Sequence, residues 1–273
     1  MKVRALIKIG GSLLDDPALR GEIARQIADV AAAGVSLAVV HGGGKQMTRF
    51  LEERGVTSRF VRGLRVTTDV TIDAVLKVLA GTVNTQLVAA LCLAGAKAVG
   101  LTGIDAGLAT AEELDPELGF VGRVVASDPH VLNALSHAGL LGVVACVAGG
   151  HHGEIFNVNG DSMAIAIASA WEAEKLVFLT DVAGVLDANK ALIPVLTIAG
   201  CQELIDSGVA SGGMQAKLNA AADAVAGGVR EVIIVKGSEP DIVGRVFHGE
   251  KIGTHIHGPH QDPLLAIMTA IMP

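Results

Sequence analysis

The 273-residue sequence predicts an α/β fold, a three-layer αβα sandwich with a mainly parallel central sheet and two lobes. Short apolar runs rich in β-branched residues alternate with longer runs of helical periodicity, a pattern typical of a parallel sheet covered by helices on both faces. Hydrophobic residues make up 51% of the chain and charged residues 18%, so a large core can be buried and disorder is excluded. Many of the 34 glycines cluster where predicted strands end.

The first half of the chain contains three predicted strands and three predicted helical regions. Leu19, Ile23 and Ile27 recur at helical spacing in the first helix, which Gly34 ends. Thr68 is a suitable N-cap for the apolar helix that follows it. In chain order, we predict a strand at 3–9, a helix at 16–33, a strand at 37–40, a helix at 45–54, helix at 69–80 continuing through 81–93, and a strand at 98–101.

The second half continues this alternation after residues 106–125, which we expect to form a hairpin or a loop. A strand that leads into Asp181 places a lobe boundary near residues 179–181, so the two expected units are residues 1–179 and 180–273. The remaining predictions are a helix at 128–138, a strand at 143–147, a helix at 161–171, a strand at 176–179, a helix at 214–226 and a strand at 231–235.

Composition excludes several classes of protein. A net charge of −7 and an aromatic content of 3%, with no tyrosine, argue against nucleic-acid binding, which needs a basic face or stacking platforms. Cys92, Cys146 and Cys201 are widely spaced in or beside apolar runs, which predicts reduced, buried thiols. Neither a signal peptide nor a membrane-spanning segment is evident in the sequence, so we expect a cytoplasmic protein without membrane contacts.

Four glycine clusters follow predicted strands or open predicted helices. Ligands of open α/β sheets bind beyond the carboxyl ends of the strands, where glycine allows close backbone approach and helix N-termini offer N–H groups to anions. One such cluster would suggest only a tight turn, whereas four favour phosphate or carboxylate binding. The clusters are Gly10-Gly11, Gly42-Gly43-Gly44, Gly184 and Gly212-Gly213.

The common phosphate-binding motifs are absent from the sequence. A Walker loop ending at Gly44-Lys45 would need glycine at Val39 and serine or threonine at Gln46. A dinucleotide fingerprint starting at Gly42 would need glycine in place of Met47. No Gly-x-Ser-x-Gly elbow of a serine hydrolase occurs either. The sequence therefore disfavours P-loop enzymes, ordinary Rossmann oxidoreductases and serine hydrolases.

A few charged residues accompany the glycines. Lys8 interrupts an apolar strand, and Lys217 lies in the first turn of a helix, where only a bound anion would compensate its charge. Asp161 is predicted at the start of a helix, where it stabilises the helix N-terminus, takes part in catalysis, or does both. Arg65 is either a solvated charge in a loop or a residue that binds a substrate carboxylate through two hydrogen bonds. Two lysines, an aspartate and backbone N–H groups suit phosphoryl transfer, and a carboxylate acceptor needs no general base.

Six short motifs, spread along most of the chain from residue 8 to residue 217, resemble those of the amino-acid kinase family and occur in the same order. Each glycine pair alone is a weak signal, whereas the ordered set is specific. The motifs are KIGGS at 8–12, VVHGGG at 39–44, GLRVT at 63–67, NVNGD at 157–161, TDVAGVLD at 180–187 and GGMQAK at 212–217.

The resemblance implies the amino-acid kinase fold and transfer of the γ-phosphoryl group of ATP to the side-chain carboxylate of N-acetyl-L-glutamate, the second step of arginine biosynthesis. By position, Lys8 and Lys217 would stabilise the transferring group and Asp161 would hold both lysines. Residues 1–179 would form the lobe for the acylated amino acid and 180–273 the ATP lobe. Four residues would bind the acylated amino acid: Gly43 and Gly44 through the backbone, Arg65 at the α-carboxylate and Asn157 at the acetamido group.

The nucleotide site implied by the resemblance comes from three segments, and Mg²⁺ would be carried on the ATP phosphates without a protein cage. These segments consist of Gly10 and Gly11; Asp181, Val182, Ala183, Gly184, Val185 and Leu186; and Val209, Ala210, Ser211, Gly212, Gly213 and Met214.

Two residues depart from the family pattern. Arg62 stands where many relatives have asparagine, and Lys45 where many have proline or an apolar residue, which leaves the acyl specificity open. The sequence starts almost at the first strand, whereas arginine-inhibited members carry an additional N-terminal helix, so we expect a homodimer without arginine feedback. The apolar stretch 79–93 is either a dimer surface or an ordinary core helix.

Two alternatives to this function stay open. A sibling kinase would act on an N-acylated aminoadipate in lysine biosynthesis, and a catalytically inactive relative would sense ATP or an amino acid. The presence of Lys8, Asp161 and Lys217 together argues against the inactive form.

The histidines suggest a metal site at first sight. His151-His152, and His255 and His257 with His260, lack the paired cysteines of common zinc motifs, so we expect exposed loop histidines and no metal held by the protein. His41, beside the triple glycine, is expected to orient the turn and not to carry a proton.

Overall fold

The computed structural model of the chain describes residues 3–258. Its centre is an eight-stranded sheet that is mainly parallel, as the sequence predicts; within it, Glu231–Lys236 and Thr254–His257 form the one antiparallel pair. In spatial order the strands are β12 (Val195–Thr197), β14 (Thr254–His257), β13 (Glu231–Lys236), β11 (Lys175–Thr180), β1 (Arg4–Ile9), β2 (Ser36–His41), β8 (Leu141–Ala145) and β5 (Ala98–Thr102). The sheet continues from β11 to β1 and β13, across the expected lobe boundary.

Helices cover both faces of this sheet, and every predicted helix is confirmed with ends shifted by a few residues. Helices at Gly11–Leu14, Ile198–Asp206 and Ile242–Phe247 were not predicted. The α-helices of the described residues are α1 (Gly11–Leu14), α2 (Pro17–Ala32), α3 (Gly44–Glu52), α4 (Asp69–Val75), α5 (Asn84–Leu93), α6 (His130–His137), α7 (Gly160–Ala170), α8 (Ile198–Asp206), α9 (Gly212–Ala226) and α10 (Ile242–Phe247).

Side chains alternate between the two faces of the sheet, as the two-residue period of a strand requires. On β1, Leu6 packs into the core cluster covered by α6, α7, α8 and α9. Its neighbours Ala5 and Ile7 pack into the cluster covered by α1 to α5 and α10. The predicted three-layer αβα sandwich is therefore confirmed, with a separate apolar core on each side of the sheet.

The predicted helix after Thr68 is one continuous run, Asp69–Leu93, and Thr68 caps it by accepting a hydrogen bond from the Thr71 N–H. Its middle segment, Leu76–Val83, is π-helical, a feature absent from the prediction. By length and composition alone this run resembles a membrane span. Its inner face is nevertheless buried against the sheet, including Leu87 at 0% exposure, as in a core helix.

A small closed barrel packs beside the main sheet. It contains the hairpin expected at 106–125, observed as β6 (Ala109–Glu113) and β7 (Val121–Ser127), together with β9 (Val147–Gly149) and β10 (Ile155–Val158). The strand predicted at 143–147 is wrong in extent, because it ends at Ala145 and Val147 begins β9. Cys146 lies at this break, where its thiol donates to the His41 carbonyl.

A two-stranded hairpin, β3 (Phe60–Val61) and β4 (Leu64–Arg65), and the short strands β10, β12 and β14 were not predicted. The hairpin strands have two residues each, too few for a hydrophobic pattern to be read. Two further single-turn segments, Asp105–Gly107 and Pro116–Leu118, are 3₁₀-helical.

Candidate active site

Glycine turns meet beyond the carboxyl ends of β1 and β2. A Cβ atom added to Gly11 would lie 2.8 Å from the Gly43 Cα and 2.9 Å from the Gly44 nitrogen, so the two loops touch through their backbones. Gly10 donates to the Leu179 carbonyl at the end of β11, and Gly42 donates to that of Ile9 at the end of β1. These contacts explain why the sequence has glycine at Gly11: any side chain would separate the loops.

Helices α1 and α3 begin at these turns and α9 begins at the separate Gly212-Gly213 turn, all three without a side-chain hydrogen bond to their first N–H groups. Gly10, Gly43 and Ser211 are the residues at the three N-cap positions. Unpaired N–H groups at a helix N-terminus, together with the helix dipole, favour an anion. Two of these helices, α3 and α9, are long enough for this dipole to matter.

Lys8, Asp161 and Lys217 come together in space, as the resemblance implies. The Lys8 Nζ lies 2.6 Å from the Asp161 Oδ1, and the Lys217 Nζ lies 3.1 Å from the Oδ2. All three side chains are largely buried, with exposed fractions of 13% for Lys8 and Asp161 and 21% for Lys217. One carboxylate thus holds two ammonium groups and leaves a net positive charge for a bound anion.

The fold explains this meeting point. Lys8 lies two residues beyond Leu6 on β1, so it points to the face that α7 and α9 cover. Asp161 is in the first turn of α7, where Asn159 accepts hydrogen bonds from the N–H groups of Asp161 and Ser162. Burial opposes ionisation of Asp161, but the two lysines outweigh it, so the pKa of this carboxyl lies below its usual value.

The predicted residues for the acylated amino acid line one cavity of about 180 Å³. Gly43, Gly44, Arg65 and Asn157 all contribute to its wall. This volume is below the roughly 300–1,000 Å³ of sites for drug-sized ligands, which suits a small substrate. Apolar walls and a few convergent polar groups give it the character of a specific small-molecule site. The residues completing the wall include Met47, Phe60, Leu79, Cys146 and Gly160.

Arg65 lies on β4 and not in a solvated loop. Its guanidinium donates to the Gly44 carbonyl at 3.0 Å and to the Thr48 hydroxyl at 2.8 Å, contacts the Ser58 hydroxyl, and stacks 4.7 Å from the Phe60 ring centroid. Because burial disfavours the charged form, the pKa of Arg65 lies below its usual value. These polar partners are neutral, so a substrate carboxylate would supply the missing counter-charge.

Asn157 is on β10 and donates to the Thr67 hydroxyl at 3.1 Å, which fixes the amide with its oxygen free to accept. The Thr67 hydroxyl in turn donates to the Arg65 carbonyl. One hydrogen-bonded chain therefore joins the predicted acetamido and carboxylate contacts.

His41 and Asn84 support the glycine turn from behind. Burial lowers the pKa of His41 to about 4, so the imidazole ring is neutral. Its Nδ1 donates to the Gly42 carbonyl, and its Nε2 accepts from the Asn84 amide, both at 3.0 Å. Asn84 also donates to the Val143 carbonyl of β8. This geometry agrees with the predicted orienting role of His41. Asn84 was missed, since an asparagine inside an apolar helical run was its only sequence signal.

The proposed nucleotide segments differ in exposure. Val182, Leu186 and Val209 are exposed apolar side chains at 39%, 42% and 37%, suited to a base or ribose. By contrast, Val185 and Ala210 are buried in the core at 0% and 4%, so only their backbone can contact a ligand.

The segment after β11 is held by β14. The Val185 N–H donates to the Thr254 hydroxyl at 2.8 Å, and a Cβ atom on Gly184, whose φ is +154°, would lie 2.7 Å from that hydroxyl. Glycine is therefore required at 184 both for its backbone conformation and for space. Thr254 was not predicted, because its role depends on a contact between distant parts of the chain.

The two departures from the family pattern lie outside the small cavity. Arg62 pairs with Asp115 and lines a neighbouring cavity of about 450 Å³ that Asp161 also borders. Lys45 is exposed in the first turn of α3. Neither cation lines the cavity that holds Arg65 and Asn157.

The histidine expectations are confirmed only in part. His151 and His152 are exposed in a turn, as predicted. His255 and His257 instead lie in β14 with side-chain exposures of 11% and 15%, so the prediction of exposed loop histidines is wrong for this pair. The error arose because the strand is short and flanked by glycines. His260 lies outside the described residues.

Comparisons with known proteins show the family of the chain. A family model described as the amino acid kinase family matches residues 3–236. The acetylglutamate kinase of Solibacter usitatus strain Ellin6076 is 57% identical over 252 residues, which span 92% of this chain and 98% of that protein.

Two solved structures have the same fold. The smu.665 protein of Streptococcus mutans UA159 is 32% identical with a TM-score of 0.83, covering 96% of this chain and all of that one (100%). The N-acetylglutamate synthase of Neisseria gonorrhoeae, complexed with coenzyme A and N-acetyl-glutamate, is 26% identical with a TM-score of 0.84 over 93% of this chain and 59% of that chain.

Proposed function

The chain belongs to the amino acid kinase family, and we propose that it transfers the γ-phosphoryl group of ATP to the side-chain carboxylate of N-acetyl-L-glutamate, in the second step of arginine biosynthesis. The observation that carries the proposal is the single carboxylate of Asp161 bound to both Lys8 and Lys217. Gly160, which precedes Asp161 and lies against the Lys8 stem, lines the cavity of Arg65 and Asn157, and Asp161 itself lines the neighbouring cavity of about 450 Å³. Lys217 comes from α9, whose N-terminus has no side-chain cap.

The reaction needs no proton transfer. An oxygen of the substrate carboxylate bonds to the γ-phosphorus while the bond from that phosphorus to the β,γ-bridging oxygen breaks, giving an acyl phosphate and ADP. The acceptor is ionised at pH 7, because a glutamate side chain has an ordinary pKa of about 4.3. A general base is therefore unnecessary, and the catalytic task is to align two anions and offset their repulsion.

Lys8 and Lys217 perform this electrostatic task. Their ammonium groups stabilise negative charge on the moving phosphoryl group, and Asp161 keeps both in place before ATP arrives, so little reorganisation is needed. Mg²⁺ carried on the ATP phosphates would neutralise part of their charge. Asp161 is already engaged by two lysines, which fits a metal held by the nucleotide better than a metal held by this carboxylate.

Arg65 binds the α-carboxylate of the substrate, and Asn157 accepts a hydrogen bond from the acetamido N–H. Backbone groups of Gly43 and Gly44 contact the acyl amino acid, while the turn at Gly10 and Gly11 contacts the phosphates. The segments 181–186 and 209–214 hold the nucleotide. Residues 1–179 thus act as the acyl-amino-acid lobe and residues 180–273 as the ATP lobe.

The proposed enzyme is a cytoplasmic homodimer. The run Asp69–Leu93 supports a dimer, because its outer face exposes Val70 at 58% and Leu93 at 91% although the helix is strongly apolar. No nucleic acid or membrane is required for the proposed reaction.

A substrate panel tests the function. ADP release by the purified chain should depend on N-acetyl-L-glutamate, whereas N-acetyl-L-aminoadipate, longer by one methylene, should give a kcat/KM about 10–200-fold lower. Free L-glutamate, which lacks the acetamido group, serves as a control and should be a poor substrate. A higher kcat/KM for the aminoadipate derivative would show that the protein is the sibling kinase of lysine biosynthesis and not the proposed enzyme. ATP binding without turnover of any acid would instead identify a sensing protein.

A further inference from the structure

A second cluster of ionisable side chains lies at the opposite end of the sheet from Lys8. Glu231 is the first residue of β13 and pairs directly with His257 at the end of antiparallel β14. His255, two residues earlier on β14, projects from the same face. The Glu231 Oε1 lies 2.8 Å from the His255 Nδ1 and 3.7 Å from the His257 Nε2.

The orientation of His255 resembles that of a metal ligand. Its Nε2 lies 3.1 Å from the Ile252 carbonyl, which can only accept a hydrogen bond, so Nε2 carries a proton. The other nitrogen, Nδ1, lies 2.8 Å from the Glu231 Oε1 and donates a hydrogen bond to it when no metal is bound; a metal ion between the two atoms would displace this proton. Metal-binding histidines are commonly fixed in this way, by a hydrogen bond from one ring nitrogen to a backbone carbonyl while the other nitrogen binds the ion.

We propose that Glu231, His255 and His257 form a binding site for a divalent transition-metal ion, with zinc as the best match. One ligand atom from each residue lies within 4.8 Å of the other two. Two imidazoles and one carboxylate are ligands that zinc accepts, with bonds of about 2.0–2.2 Å, and water completes a tetrahedron. Ligand atoms would then be roughly 3.3 Å apart, so small side-chain movements suffice.

Lys175 lies beside this site and is expected to weaken its affinity for a metal ion. On β11 it pairs with Glu231 and contacts its Oε2, which leaves Oε1 toward the histidines. Its positive charge opposes that of a metal ion, so we expect weaker binding than at a zinc site without a lysine. Hard cations such as Mg²⁺ prefer oxygen ligands and should not compete effectively.

The expected role of the metal is to brace the nucleotide lobe. It would join β13 to β14, and the latter strand carries Thr254, whose hydroxyl holds the Val185 N–H of the segment after β11. The site lies at the amino ends of β11 and β13, away from the reacting groups, so it does not take part in phosphoryl transfer.

Co²⁺ titration of the full chain, purified without a histidine tag and treated with EDTA, tests the site directly. We expect the visible spectrum of tetrahedral Co²⁺ with one ion per chain, and a rise in melting temperature with Zn²⁺ but not with Mg²⁺. His257→Gln should weaken Co²⁺ binding at least tenfold. The control, His151→Gln with His152→Gln, removes the exposed pair and should leave binding unchanged.

Lys175→Gln provides a second variant in case His257→Gln fails to fold. It removes the opposing charge and should strengthen Co²⁺ binding several-fold. Equal Co²⁺ affinity in the parent and His257→Gln proteins would overturn the proposal. So would loss of binding in the control variant alone, or a parent protein that binds no Co²⁺. None of these readouts depends on kinase activity, so they remain informative if the proposed reaction is wrong.

Discussion

At the scale of single residues, Lys8 shows how local context makes a side chain functional. A lysine in a buried strand is unfavourable unless its charge is compensated, and Asp161 at 2.6 Å provides that compensation. A Cβ atom on Gly160 would lie 3.2 Å from the Lys8 Cε, so the lysine stem also uses the space that glycine leaves. The site therefore depends on the length and slimness of lysine as well as on its charge.

Replacement of either lysine should reduce turnover without unfolding the chain. Lys217→Ala removes one of two groups that neutralise the phosphoryl charge, and Lys8→Arg puts a bulkier, planar cation into a tight space. Each should lower kcat about 10²–10³-fold in the ADP-release assay, with an unchanged circular dichroism spectrum. Lys97→Ala, at an exposed lysine outside the site, is the control. Turnover near the parent level in both site variants would disprove the proposed mechanism.

At the scale of elements, the site is built from strand–turn–helix units whose glycine turns lie against one another. Gly11 at the start of α1 touches the backbone of Gly43 at the start of α3, so neither helix can shift independently. Interiors packed this closely do not absorb an added methyl group without movement. The helix N-termini are therefore aligned by backbone contact, which explains the position of the glycines better than turn geometry alone does.

Two glycine-to-alanine substitutions separate these effects. Gly11→Ala places a methyl group on the backbone of Gly43 and should cost about 1–3 kcal/mol of unfolding free energy, with a raised KM for N-acetyl-L-glutamate. Gly21→Ala lies inside α2, where a Cβ atom meets nothing within 4 Å, and should stabilise the chain by about 0.5–1 kcal/mol. Urea denaturation and steady-state kinetics measure both. An unchanged KM and stability for Gly11→Ala would refute the close-contact argument.

At the scale of the whole molecule, one sheet joins the two proposed lobes through β11, which pairs with β1 on one side and β13 on the other. Lys8 and Asp161 come from the first lobe and Lys217 from the second. The reacting groups are therefore assembled across the boundary between the lobes. The helical run Asp69–Leu93 extends from this assembly to the edge of the sheet: Leu79 lines the cavity of Arg65 and Asn157, whereas α5, which carries Leu93, packs beside the edge strand β5.

The proposed dimer makes a prediction about mass in solution. Light scattering after size-exclusion chromatography should give twice the chain mass of 27.8 kDa. Leu93→Asp introduces a charge on the apolar face and should shift the equilibrium toward single chains, because burying an unpaired carboxylate is costly. Val195→Asp, at a partly exposed position on β12, is the control and should leave the mass unchanged. A parent protein with the mass of one chain would contradict the homodimer.

Most of the large elements could be predicted from sequence periodicity. Helices α2, α7 and α9 and strands β1, β2, β11 and β13 are long and apolar enough to leave a clear pattern. The short strands β3, β4, β10 and β14 have too few residues for that. β14, in addition, pairs with β12 and β13, whose residues lie about 20 to 60 positions earlier in the chain, and for both reasons His255 and His257 were assigned to a loop.

The sequence by itself determined the fold class, the layer order and the glycine turns, because these follow from local periodicity and from the backbone freedom of glycine. It also singled out Lys8, Asp161, Lys217 and Arg65, since charges are rare beside buried strands in this chain. The family resemblance implied that Asp161 holds both lysines, and the tertiary structure gives the contacts. Only the tertiary structure decided that Asn84 supports His41 and that Glu231 faces two histidines. Those contacts join residues far apart in the sequence, and strand register and helix packing bring them together.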